Sequence, residues 1–145
     1  MALSEASTEI ARRAEDVFPW LLDVEKRLQW VDGLVSSEPL DGERPRHGNR
    51  YREVLEQHGL RTPVETTIHV LDPPRELSLR VRAHGLAATT HTRLEEADGR
   101  TRVTSSLETH ATGLAGRMIG IVVARQAQGS LERSLARLKQ LVEAG

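Results

Sequence analysis

From residue 51 to about residue 111, apolar or small side chains alternate with charged ones. This is the period-2 pattern of strands with one buried face. Three glycine-containing pairs interrupt it: His58-Gly59, His84-Gly85 and Asp98-Gly99. Such pairs favour two-residue hairpin turns, because glycine accepts positive φ without strain. A turn at each pair fixes a register. In the first hairpin Arg52 falls opposite Glu65 and Glu56 opposite Arg61, while Tyr51 meets Thr66, Glu53 meets Val64 and Leu55 meets Thr62. In the second, Leu79 meets Thr90, Val81 meets Ala88 and Ala83 meets Leu86. In the third, Leu94 meets Val103, Thr92 meets Ser105 and Thr90 meets Leu107, with Glu95 opposite Arg102 on the other face. Opposite charges share one face and apolar or small residues the other, so a one-residue slip scrambles both. Asp72-Pro73-Pro74-Arg75 links the first two hairpins where no ladder hydrogen bond is needed.

After Gly113 the period changes. Leu131, Leu135, Leu138 and Val142 recur at helical spacing, and Leu114, Met118, Ile121 and Val122 extend the stripe upstream. This helix is the natural cover for the dry face of the sheet. Ahead of the hairpins, residues 3–13 read as a strand and 34–40 as another, with a loop over 41–48. Between the two strands, Val17, Phe18, Leu21 and Leu22 follow helical spacing after Glu15-Asp16, with Pro19 in the first turn. Asp23 is positioned to cap a second short helix that runs through Leu28 and Trp30 and ends at Gly33. The predicted fold class is α+β: a curved antiparallel sheet of six to seven strands wrapped around a long C-terminal helix, with two short helices after strand one.

Composition adds three constraints. The chain of 145 residues is long enough to bury a core and is expected to form one domain over residues 1–145. It has no cysteine, which excludes disulfides and thiolate metal sites. A net charge of −1 argues against a nucleic-acid partner. No targeting segment or membrane-length apolar run is read, so a cytoplasmic protein without stable membrane insertion is expected, as a monomer or homodimer. There is one Phe and one Tyr, and both the upstream half of the long helix and the dry face of the sheet are rich in small residues. A cavity between sheet and helix follows from that shortage of bulk, although a flattened solid core satisfies the same pattern.

The order of elements resembles the START-like, helix-grip superfamily, and within it the polyketide cyclase/dehydrase-like group of small bacterial proteins. The residues carrying the resemblance are Val17-Phe18 with Leu21, then Asp23 and Trp30. Gly48-Asn49-Arg50-Tyr51, Asp72-Pro73-Pro74 with Leu77, Gly99-Arg100-Thr101-Arg102-Val103, and Ser130-Leu131 through Leu138-Lys139 complete it. It spans nearly the whole chain and rests on order and spacing. The coenzyme-Q-binding branch carries an aromatic-proline motif where this chain has Gln29-Trp30-Val31-Asp32-Gly33, so the resemblance does not extend to that branch. The resemblance implies an internal pocket for a lipid, polyketide or ring compound, and it marks no catalytic residue. Function is therefore argued from the site.

The expected pocket lining takes Tyr51, Glu53, Val64, Thr66 and Ile68 from the first hairpin, and Leu79, Val81, Thr90 and Thr92 from the second. Ser105 and Leu107 come from the last strand, and Met118, Ile121, Val122 and Arg125 from the helix. Glu53 has two readings. In an apolar pocket its pKa rises and it serves as a general acid or base beside Tyr51. Alternatively it pairs with a pocket arginine, for which Arg125 is the candidate, unless Arg125 belongs to the solvated stripe. The hydroxyls of Thr66, Thr90, Thr92, Ser105 and Thr109 either hydrogen-bond ligand oxygens or reflect the strand preference of threonine. The six histidines fall on outer faces, in turns or in loops without i, i+4 metal spacing, so they read as solvated, with no metal and no cofactor implied. Trp20 and Trp30 read as core, and residues 114–123 as packed helix instead of a membrane-dipping segment. Three functions follow: a binding protein for a small hydrophobic molecule, a cyclase/aromatase or dehydratase using Glu53 and Tyr51, or an interaction module whose cavity is vestigial.

Overall fold

The computed structural model describes residues 2–83, 86–111 and 113–145, with the side chains of residues 2 and 111–124 excepted. Seven strands form one antiparallel sheet in the order β1-β7-β6-β5-β4-β3-β2. They are β1 (Ala2–Ile10), β2 (Leu34–Pro39), β3 (Arg50–Gln57), β4 (Leu60–Asp72), β5 (Glu76–Ala83), β6 (Leu86–Ala97) and β7 (Arg100–Ala111). Short helices α1 (Ala14–Val17), α2 (Pro19–Leu22) and α3 (Val24–Trp30) follow β1, and α4 (Gly113–Ala144) closes the chain.

The hairpin register is the one the charge pattern specifies. Tyr51 lies opposite Thr66, Val81 opposite Ala88, Leu94 opposite Val103, and Glu95 opposite Arg102. His58 and Gly59 sit at φ 52° and 77°, Asp98 and Gly99 at 54° and 75°. Positive φ at both central residues gives the turn the twist of the strands it joins. The predicted turn at His84-Gly85 lies outside the described residues.

Two boundaries differ from the pattern. β1 ends at Ile10, because the next residues leave the sheet to hold α4. The Ala11 N–H donates to Glu143 Oε2 at 2.8 Å, and Arg12 Nη2 donates to the Glu143 carbonyl at 2.7 Å. The helix expected over 15–22 is two single turns. Pro19 opens the second, where its missing N–H costs nothing but breaks continuity with the first. Asp23 caps α3 as expected, accepting from the Lys26 N–H.

The core lies beneath the C-terminal half of α4. Leu135, Leu138 and Val142 pack with Ile10, Val17, Phe18, Leu77, Leu94 and Val103. α4 lies against β1, β7 and α3. The loop after α3 is fastened to it: the Asp32 N–H donates to Ser134 Oγ at 2.8 Å, and the Asp32 carboxylate meets Arg133 at 3.0 Å and Arg137 at 3.1 Å. Among the described residues, no helix is long and apolar enough to cross a membrane.

Candidate functional site

Neighbouring residues of α4 touch opposite edges of the sheet order. Gln126 Nε2 lies 3.1 Å from His58 Nε2 in the β3–β4 turn, while Gln128 Nε2 donates to the Glu5 carbonyl of β1 at 2.9 Å. Side chains two residues apart can reach both edges only if the sheet curls around the helix. Burial changes along the inner face of the middle strands β5 and β6. Where the C-terminal half of α4 sits, Leu77 and Leu94 are about 4% exposed and Val103 is fully buried. Further along the same face Leu79, Val81, Ala88, Thr90, Thr92 and Leu107 are only half-buried. This half-buried stretch, built largely from small side chains on facing strands as the composition implies, is the candidate furrow.

The furrow is mostly apolar with a few hydroxyls. Thr92 Oγ1 and Ser105 Oγ share a hydrogen bond at 3.1 Å, and Thr66 donates to Glu53 Oε1 at 2.7 Å. Among the described residues, the Thr90 hydroxyl has no partner. An apolar lining with one or two free polar groups is what orients a small hydrophobic ligand.

On the β2–β4 side the furrow is bounded by a buried charge pair. Arg27 of α3 donates to both carboxylate oxygens of Glu53, at 2.5 Å and 3.4 Å. Glu53 is 3% exposed. Burial pushes its carboxyl up, but the charge of Arg27 and hydrogen bonds from Arg27 and Thr66 outweigh it, so the pKa lies below the ordinary value. Of the two readings of Glu53, the arrangement is that of the ion pair with an arginine, which holds its carboxyl below the ordinary value. Arg125 is exposed, as its solvated-stripe reading has it, and the arginine paired with Glu53 is Arg27 of α3. Arg27 was legible in principle, since it lies one turn from buried Trp30 and on the same face of α3. Tyr51 is buried beside this pair, and burial holds its phenol above the usual range, with the charge of Arg27 opposing and that of Glu53 assisting.

Of the other expected lining residues, Thr66 and Ile68 are fully buried and Val64 and Ser105 are buried, so they form floor and wall more than open surface. Met118, Ile121 and Val122, together with the apolar segment 114–123, lie outside the described side chains. The histidines are less uniformly solvated than expected. His91 is half-buried on the outer face, with Nδ1 2.8 Å from Ser78 Oγ and Nε2 3.9 Å from Glu108 Oε2. Ser78 is fully buried, so the series Ser78–His91–Glu108 ties three strands together without presenting a nucleophile. His69 meets Arg80 at 3.1 Å, and His84 lies outside the described residues. Trp30 is core, its Nε1 donating to the Trp20 carbonyl at 2.8 Å.

Residues 1–143 match the model of a family described as polyketide cyclase/dehydrase and lipid transport. No match was found among curated proteins. Similar solved structures include a START superfamily protein from Mycobacterium smegmatis, 17% identical, with a TM-score of 0.78 and 99% of each chain covered. The Zhui aromatase/cyclase from Streptomyces sp. R1128 is 18% identical, with a TM-score of 0.77, covering 97% of this chain and 93% of its own. At these identities the likeness is one of fold, and it establishes the START-like helix-grip architecture.

Proposed function

The chain belongs to the polyketide cyclase/dehydrase and lipid transport family, and we propose that it acts as one ligand-binding domain that holds a small, neutral hydrophobic molecule in the furrow between β5–β6 and α4. The observation that carries this reading is the change in burial along one sheet face. The same inward register that gives a sealed core at Leu94 and Val103 gives half-buried Val81, Thr90 and Leu107 under the same helix. A lipid tail, a polyketide chain or a fused ring fits such a lining, with the Thr90 hydroxyl donating to or accepting from a ligand oxygen. Binding is favoured over a cyclase reaction because the buried carboxylate nearest the furrow is already neutralised by Arg27.

The test uses N-phenyl-1-naphthylamine, a neutral probe whose fluorescence rises in apolar surroundings. The wild-type protein enhances it, a lipid or polyketide extract displaces it, and Thr90→Trp abolishes the enhancement while leaving the circular dichroism unchanged. Equal enhancement by wild type and Thr90→Trp places the probe elsewhere and defeats the reading. Turnover of a displacing polyketide by the wild-type protein would establish the enzymatic alternative.

A further inference from the structure

A second concavity lies away from the furrow, where the short helices meet the β2–β3 loop and the β4–β5 turn. Its volume is about 960 Å³. Five of the six prolines line it: Pro19, Pro39, Pro45, Pro73 and Pro74. The single phenylalanine and the single tyrosine, Phe18 and Tyr51, line it too. None of the half-buried furrow residues does. Proline rings fix the backbone on every side of this groove, so its walls are preformed and a ligand orders little on entering.

Its charge has one sign. Glu15, Asp23, Glu25 and Glu43 line it, and no lining residue among those described is basic. Glu15 is paired with Arg13 at 3.0 Å, and Asp23 is used as a helix cap. Glu25 and Glu43 have no ion pair among the described residues. The nearest lysine in sequence, Lys26, is turned onto the Trp20 ring, 4.5 Å from its centroid. Tyr51 supplies an independent observation. It is 4% exposed, yet its hydroxyl has no hydrogen-bond partner among the described residues. The ring is buried while the hydroxyl is left free at the groove, where its oxygen can accept from a ligand donor.

We propose that this proline-walled groove is a second binding site, for a small hydrophobic cation: a protonated amine carried on a ring or short alkyl chain. The apolar body lies against the prolines and Phe18, and the ammonium faces Glu25 and Glu43, with the Tyr51 oxygen as acceptor.

The experiment compares three probes of one shape at low salt: 4-phenylbutylamine, 4-phenylbutan-1-ol and 4-phenylbutyrate. Binding is read by titration calorimetry and ligand-detected NMR. The amine is expected to bind about tenfold more tightly than the alcohol, since two nearby carboxylates at high effective dielectric contribute on that order. The carboxylate is expected to bind weakest. Glu25→Gln with Glu43→Gln, both at exposed positions, erases the difference between amine and alcohol and leaves alcohol binding unchanged. Thr90→Trp leaves amine binding intact. The proposal is overturned if the amine does not bind, if the three probes bind alike, if the double variant retains the preference, or if Thr90→Trp abolishes amine binding.

Discussion

Arg27 and Glu53 form a buried ion pair that spans α3 and β3, with side chains 11% and 3% exposed. Each charge is tolerable there only because of the other. Removing one partner leaves an uncompensated charge in a low-dielectric site, at a cost of about 3–5 kcal/mol. Arg27→Ala is therefore expected to lower the unfolding free energy by about that amount in urea denaturation. Arg27→Met combined with Glu53→Leu is expected to recover most of the loss, because no orphaned charge remains. A double variant as unstable as Arg27→Ala would show that the pair contributes net stability of its own.

The same pair sets a pH dependence. Burial alone would raise the Glu53 pKa, yet Arg27 carries it below the ordinary value of 4.5. A depressed carboxylate contributes stability that is fully present above its unfolded pKa and is lost as pH falls through the folded pKa. Stability is thus expected to decline progressively below pH 4.5, with protons taken up on unfolding. In Glu53→Gln this part of the acid limb flattens. Unchanged steepness between pH 4.5 and pH 2 would assign the acid limb to other carboxylates, of which Asp32 is also depressed: its burial is outweighed by Arg133, Ser130 and Arg137.

The sheet was legible because charge pairing and burial agreed in the first and third hairpins, and the apolar pattern alone carried the second. Arg52 opposite Glu65 and Tyr51 opposite Thr66 satisfy charge pairing on one face and burial on the other, and only one register does both. The site was legible only in part. Register places Thr90 and Val81 on the inner face, but it carries no information on how far α4 stands from them. The ion pair was half-read for a similar reason. Glu53 is marked inward by its own strand, whereas its partner comes from α3, whose packing angle no local pattern records. Arg125 was one candidate, from the small-residue half of α4, and its exposure places it on the solvated stripe. The proline groove was invisible, because its walls come from separate segments and prolines read one at a time as turns.

Gly33 is a position where backbone geometry admits no side chain. Its φ is +82°, and a Cβ there would lie 2.9 Å from the Glu56 carbonyl oxygen. That oxygen belongs to the residue whose N–H donates to the Gly33 carbonyl at 2.7 Å, so neither the turn nor β3 can retreat freely. Gly33→Ala combines positive-φ strain with a clash and is expected to cost about 1–3 kcal/mol. Gly99→Ala is the control, with φ +75° but open space around the Cβ, and it should cost less in the same thermal melt.

The furrow and the core face the same helix from the same sheet, so matched substitutions distinguish a gap from packed interior. Leu138 is fully buried, and Leu138→Ala removes contacts on all sides, with an expected cost of about 2–5 kcal/mol. Val81 and Ala88 face each other across β5 and β6, and both are half-buried. If space lies above them, enlarging Ala88 meets no neighbour. Ala88→Leu is then expected to change stability by less than about 1 kcal/mol, while it narrows the furrow and weakens binding of the neutral fluorescent probe. In a packed interior the added methylenes force side chains off their rotamers at about 1–3 kcal/mol. A measured loss in that range for Ala88→Leu, with probe binding unchanged, would mean that α4 rests on β5 and β6 and that the half-burial reflects small side chains alone.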